Sequence, residues 1–238
     1  MTGNQLKMVA LVTMTIDHIG VILLPQYPIL RIIGRLSFPI FAYMVAEGCH
    51  YTHDKRRYLG GIVLLGIICQ AAYFLATKSL EQSILTTLAL GIVTVYAMQT
   101  LASRRDVIGA IACLGTLGLD TIACFVLPHL LSGMGYRIDY GFAGVLLPAL
   151  CYLPRLVTPE MEEGQRRLLT LVPLTVGLLG VTFETVAVFR GIQLFALLAV
   201  PLLAMYNGKR GAWRMKHLFY IYYPTHLVVI WAIALVLG

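Results

Sequence analysis

The chain has 238 residues, of which 59% are hydrophobic and 12% charged, with a formal net charge of +7. A soluble domain carries roughly 25% charged and about 45–50% apolar residues, so this composition excludes an ordinary soluble fold. The basic residues sit between apolar blocks instead of clustering, which points to membrane topology and away from nucleic acid.

Taken in chain order, the apolar blocks predict helices at about 7–25, 29–49, 58–76, 82–101, 107–128, 137–154, 168–187, 190–206 and 217–237. Each is about 17–22 residues, enough to cross a hydrocarbon layer of ~30 Å at 1.5 Å per residue. The expected fold class is therefore all-α: a polytopic integral membrane helical bundle of about nine transmembrane helices, in one domain over 1–238. The first block reads as a retained helix, because Leu23-Leu24-Pro25-Gln26-Tyr27-Pro28 is not a small-residue cleavage site. Cys49, Cys69, Cys113, Cys124 and Cys151 are scattered without a C-x-x-C motif and read as small apolar packers.

Basic residues follow alternate spans. Lys55, Arg56 and Arg57 come after the second, Arg104 and Arg105 after the fourth, Arg155, Arg166 and Arg167 around the loop after the sixth, and Lys209, Arg210, Arg214 and Lys216 after the eighth. The intervening loops carry only Lys78 and Arg190. Positive charge marks the cytoplasmic side. The expectation is a multi-pass protein of a bacterial inner (cytoplasmic) membrane with a cytoplasmic N-terminus.

Ionisable residues at membrane depth cost about 2.5–3.5 kcal/mol each on insertion scales, so each needs a reason. At 1.5 Å per residue, Asp17, His18, Arg35, Asp120 and His226 fall within one layer, roughly 13–21 Å from the cytoplasmic face. A buried ion pair between Asp17 and Arg35 accounts for two of them as structure alone. The two histidines call for more, because histidine takes up and returns a proton near neutral pH. Asp17 and His18 are adjacent and point about 100° apart. Asp17 is therefore expected to meet Arg35, and His18 to be oriented from another helix, with Asp120 or the hydroxyls of Tyr222 and Tyr223 as candidates.

Lys7 and His18 are eleven positions apart, 18 − 7 = 11, close to three helical turns. They share a face, with a cation at the cytoplasmic mouth and an imidazole about 16 Å deeper. A long anionic donor such as acyl-coenzyme A matches that spacing. The second span carries Arg31 and Arg35 one turn apart and then Pro39, expected to kink or open it. Glu47 is expected to pair locally with Arg56 or Arg57. His50 and His53 are crowded at one helix end with no matching ligands elsewhere, so no metal site is expected. Lys209 and Arg210 lie in Asn207-Gly208-Lys209-Arg210-Gly211, a basic glycine-flanked loop suited to phosphate.

Three regions together carry a resemblance. Leu6-Lys7, Asp17-His18-Ile19-Gly20, the run from Arg31 through Ser37-Phe38-Pro39 to Ala42, and Glu47-Gly48 resemble the TraX family, named for F-pilin N-terminal acetylation. So do Asp139-Tyr140-Gly141, the loop from Tyr206 to Gly211, and Phe219-Tyr220 through Tyr223-Pro224-Thr225-His226-Leu227. That family is in turn similar to the wider transmembrane acyltransferases, including the acyltransferase-3 and heparan acetyltransferase types. There a basic residue precedes a first-helix histidine by the spacing of Lys7 and His18. Lys7 stands where many of those proteins have Arg, which keeps the charge and loses the bidentate fork.

The resemblance implies a membrane-embedded acetyltransferase that uses cytosolic acetyl-CoA and no metal. Its acceptor is an amine or hydroxyl of a protein or glycan, within or across the bilayer. In this reading His18 is general base, Asp17, Arg35 and His226 complete the catalytic group, and Lys7, Lys209 and Arg210 hold coenzyme phosphates. Arg31, Asp120, Tyr222 and Tyr223 face the acceptor. The alternatives are a proton-coupled small-molecule transporter built on the same buried charges, and a non-catalytic assembly factor for surface appendages.

Overall fold

The computed structural model describes residues 1–189, 191–212 and 216–237. Arg190 and Arg214, two of the bases used to orient the chain, lie outside the described residues. In chain order the helices are α1 (Gly3–Ile22), α2 (Pro28–Gly34), α3 (Ser37–Tyr51), α4 (Lys55–Thr77), α5 (Ile84–Arg104), α6 (Val107–Thr121) and α7 (Leu127–Leu130). They continue with α8 (Gly141–Val157), α9 (Glu163–Glu184), α10 (Val186–Phe189), α11 (Ala199–Ala204) and α12 (Lys216–Leu237). Among the described residues the only strands are β1 (Glu81–Gln82) and β2 (Arg137–Ile138), a short parallel pair.

Seven described helical runs are long and apolar enough to cross a membrane. Two shorter apolar runs, Gly141–Val157 and Ile192–Ala204, stand where the sixth and eighth spans were expected. The protein is an all-α helical membrane bundle.

Several boundaries differ from the sequence-based expectation, each for a local reason. Helix α1 starts at Gly3, four residues early, because Thr2 and Gln5 form a capping box that satisfies its first amides. The second span is broken: α2 stops at Gly34 and α3 starts at Ser37. Pro39 lies in the first turn of α3, where its missing N–H costs nothing, while its ring would clash with the carbonyl four residues back, that of Arg35. The break falls at that carbonyl. Beyond Asp120 the helix widens into a π turn at Ile122–Val126, and the stretch Ile192–Leu198 is 3-10. Pro39 is therefore not the only irregularity, although the sequence suggested no second one.

The chain packs as two compact units. One unit comprises Met1–Phe41 and the chain from Val186 onward. Here α1 packs against α2 and α12, and α2 packs against the 3-10 segment. Leu6, Ala10, Phe38, Ile40, Ala196 and Ala199 are fully buried in it.

The other unit is Ala42–Thr185. Its core contains Ile92, Val95, Val145, Leu147, Leu174 and Leu178, from α5, α8 and α9. Arg155 donates to Glu47 and to Glu163, both at 2.6 Å, and ties α8 to α3 and α9. Glu47 thus pairs with a residue 108 positions away, and not, as expected, with its neighbours Arg56 and Arg57. Tyr140 and Gly141 both take positive φ, 63° and 62°. This turn points the first amides of α8 at Glu184, whose two oxygens accept from Phe142 and Ala143 at 2.7 Å. A carboxylate there satisfies orphan amides and complements the helix dipole.

Candidate functional site

The site lies wholly within the unit that joins the two ends of the chain. Asp17 on α1 accepts from two arginines. Arg35 Nη2 is 2.6 Å from Oδ1 and Arg31 Nη1 is 2.7 Å from Oδ2. The expected Asp17–Arg35 pair is present. Arg31, expected to face the acceptor, shares the same carboxylate.

Arg35 sits at the α2–α3 break with its side chain 2% exposed, against 24% for Arg31. Its Nε donates to the Arg31 carbonyl at 3.3 Å and its Nη1 to Gln193 Oε1 at 3.2 Å. Gln193 comes from the 3-10 segment and is fully buried. No sequence argument singled it out, because one glutamine in an apolar run carries no spacing signal. Its Nε2 is sealed from solvent and has no hydrogen-bond partner among the described residues. One carboxylate, on the residue before His18, is thus shared by two guanidinium groups.

His18 is met from α12 by a second histidine. Its Nδ1 lies 2.9 Å from His226 Nε2. His226 Nδ1 in turn lies 2.9 Å from the carbonyl of Tyr222, one turn back along α12. The Tyr222 ring stacks on His226 with centroids 5.2 Å apart and 12° between planes, and the Tyr223 ring meets it edge-on at 5.7 Å. The Tyr222 hydroxyl is 2.7 Å from Thr15 Oγ1, whose own proton goes to the Leu11 carbonyl at 2.9 Å. A hydroxyl has one proton, so Tyr222 donates to Thr15 and is committed to joining α12 to α1.

Asp120 belongs to the other unit, where it is fully buried on α6 and lies 2.7 Å from Thr94 Oγ1 of α5.

Lys7 and the basic loop meet at one end of this unit. The amides of Gly3 and Asn4 donate to the carbonyls of Lys209 and Arg210 at 2.8 and 3.0 Å, and the Asn207 amide donates to Met1 at 2.9 Å. The first turn of α1 is therefore closed by loop carbonyls. Any anion at this end must be met by side chains and not by the helix N-terminus. Lys7 lies one turn beyond Gly3, with Nζ 5.7 Å from the Phe219 ring centre, while Lys209 and Arg210 are exposed. Along α1, His18 stands ~16 Å from Lys7 and only ~6 Å from the helix end at Ile22.

Fold and site together define a helical membrane protein with a buried Asp–Arg–Arg cluster beside a histidine pair. The family model described as TraX protein matches residues 2–234, and the chain belongs to the TraX family. It is 28% identical over 232 residues to Protein TraX of Escherichia coli, covering 97% of this chain and 86% of that one. It is 25% identical over 251 residues to the probable fimbrial assembly protein FimC, serogroup H1, of Dichelobacter nodosus, covering 95% and 93%. No solved structure matches it.

Proposed function

We propose that the protein is an acetyltransferase of the bacterial inner membrane that moves an acetyl group from acetyl-CoA to an amine or hydroxyl, with its N-terminus cytoplasmic. The observation that carries this reading is the arrangement on α1. A cation stands at one end beside an exposed basic loop, and a histidine with one ring nitrogen uncommitted among the described residues stands ~16 Å further along the same face. That length suits an extended coenzyme whose phosphates stay at the mouth with Lys7, Lys209 and Arg210. Its thioester then reaches His18.

His18 acts as general base on the acceptor. The guanidinium groups of Arg31 and Arg35, held by Asp17, favour the oxyanion that develops at the thioester carbonyl. Because His18 is one turn from the far end of α1, the acetyl group meets its acceptor near the face opposite the coenzyme. Membership of the TraX family supports a pilin-like amine as acceptor. The likeness to the wider acyltransferases keeps sugar hydroxyls in the same proposal.

The test is acetyl transfer by purified protein in lipid nanodiscs, from radiolabelled acetyl-CoA to short peptides with a free α-amine and to hexosamines. Transfer by the wild type that falls by about 100-fold or more in His18→Ala supports the reading. Equal turnover in that variant contradicts it. The irregular segments at Arg35–Leu36 and Ile192–Leu198 pack together in one unit and keep a transporter as the second reading. A transporter moves substrate across liposomes without consuming acetyl-CoA.

A further inference from the structure

We propose that His226 fixes His18 in the Nδ1–H tautomer, so that His18 Nε2 is the nitrogen that takes the proton. The assignment follows from donors and acceptors alone. The Tyr222 carbonyl can only accept, so His226 Nδ1, 2.9 Å away, carries a hydrogen. In a neutral ring the other nitrogen, Nε2, then presents a lone pair. His18 Nδ1 lies 2.9 Å from that lone pair and must itself carry the hydrogen. His18 Nε2 is left as an acceptor. Turning the His226 ring over would place carbon atoms at both contacts, so the orientation is determined as well.

The surroundings hold this relay in register. His226 is 7% exposed, stacked on Tyr222 and met edge-on by Tyr223, and the Tyr222 hydroxyl is anchored to Thr15 one turn before His18. His18 itself is only half-buried, and no described residue occupies its Nε2. His226 is thus a positioning residue. It acts through His18, as a carbonyl or carboxylate does where the hydrogen bond at one ring nitrogen sets the state of the other.

The use of this nitrogen in transfer rests on the acetyltransferase reading, whereas the tautomer does not. In the transfer step the acceptor's N–H or O–H proton goes to His18 Nε2. The acceptor atom forms its bond to the thioester carbon as the C–S bond breaks. The coenzyme thiolate then takes the proton from Nε2, and His18 returns to its starting state. His18 keeps its Nδ1–H bond to His226 throughout, so the imidazolium is held where it forms.

The experiment is nitrogen-15 NMR of the purified full-length protein, with ring-labelled histidine in nanodiscs and the His18 signals assigned by their loss in His18→Gln. The Nδ1–H pattern is expected in the wild type and in His226→Gln, whose amide oxygen can accept from His18. In His226→Phe the acceptor is gone, and the His18 pattern is expected to move toward the Nε2–H form. Acetyl transfer should fall by about 100-fold in His226→Phe and recover in part in His226→Gln. An Nε2–H pattern in the wild type overturns the proposal, as does an unchanged Nδ1–H pattern in His226→Phe. Expected spectra without any acetyl transfer would uphold the tautomer and overturn the enzymatic reading alone.

Discussion

Gly34 and Asp17 approach so closely that a Cβ on residue 34 would overlap the Asp17 side chain. The carboxylate cannot step aside, because Arg31 and Arg35 hold one oxygen each. A single small residue on α2 therefore sets where the charged cluster sits on α1. Gly34→Ala is expected to push Asp17 off both arginines and to lower thermal stability by more than the ~1 kcal/mol helix-propensity gain could offset. A melting temperature at or above wild type in nanodiscs would show that the fit is looser than described.

The Asp17 cluster makes a second, charge-specific prediction. Asp17→Asn keeps the shape and removes the counter-charge from two arginines, one of them almost wholly buried. Breaking a buried pair by removing one partner costs about 3–5 kcal/mol, whereas replacing the whole group is often nearly neutral. The triple replacement Asp17→Asn, Arg31→Gln, Arg35→Gln should therefore be more stable than Asp17→Asn alone. Thermal unfolding of both variants checks the order, and the reverse order would mean that the arginines do not depend on Asp17.

Tyr222 and Thr15 offer a measurable link between α12 and α1. Hydrogen bonds between membrane helices average about 0.6 kcal/mol in double-mutant cycles. The cycle of Tyr222→Phe and Thr15→Val should return a coupling of about that size. The two single changes should cost the same rate factor in acetyl transfer, because both release the ring that stacks on His226. A coupling of zero would leave the 2.7 Å contact without energetic content.

Arg155 ties three helices of the other unit through Glu47 and Glu163. Arg155→Met takes the arginine from the largely buried Glu47 while Glu163 keeps Arg166, 2.6 Å away, and a loss of about 3 kcal/mol is expected. Glu47→Gln costs less, because Arg155 keeps Glu163. Because this network lies outside the site, residual folded protein should retain its affinity for acetyl-CoA, which calorimetry can check.

Much of this was legible in the sequence, and the remainder fails for identifiable reasons. Length and hydropathy located the helices, and membrane cost singled out Asp17, His18, Arg35 and His226 because each is expensive to bury without a partner. The Asp17–Arg35 pair followed from two adjacent spans. The partner of His18 did not, because it depends on how α12 is rotated against α1 across more than 200 positions. The bond from Arg31 to Asp17 was not legible, because spacing alone does not show that one carboxylate takes two arginines. Gln193 became visible only once the 3-10 segment brought it to Arg35. The early start of α1 was in the sequence, since Thr2 and Gln5 fit a capping box. The Glu47–Arg155 pair was not, because nearer arginines matched equally well.

The central claim, that this protein takes acetyl-CoA at the Lys7 end of α1, is tested most directly by calorimetric titration of acetyl-CoA into the purified protein in nanodiscs, wild type against Lys7→Ala. Saturable binding that weakens at least tenfold in the variant, about 1.4 kcal/mol, is the predicted result. No binding at millimolar acetyl-CoA by folded wild-type protein, or equal binding by both, would contradict it.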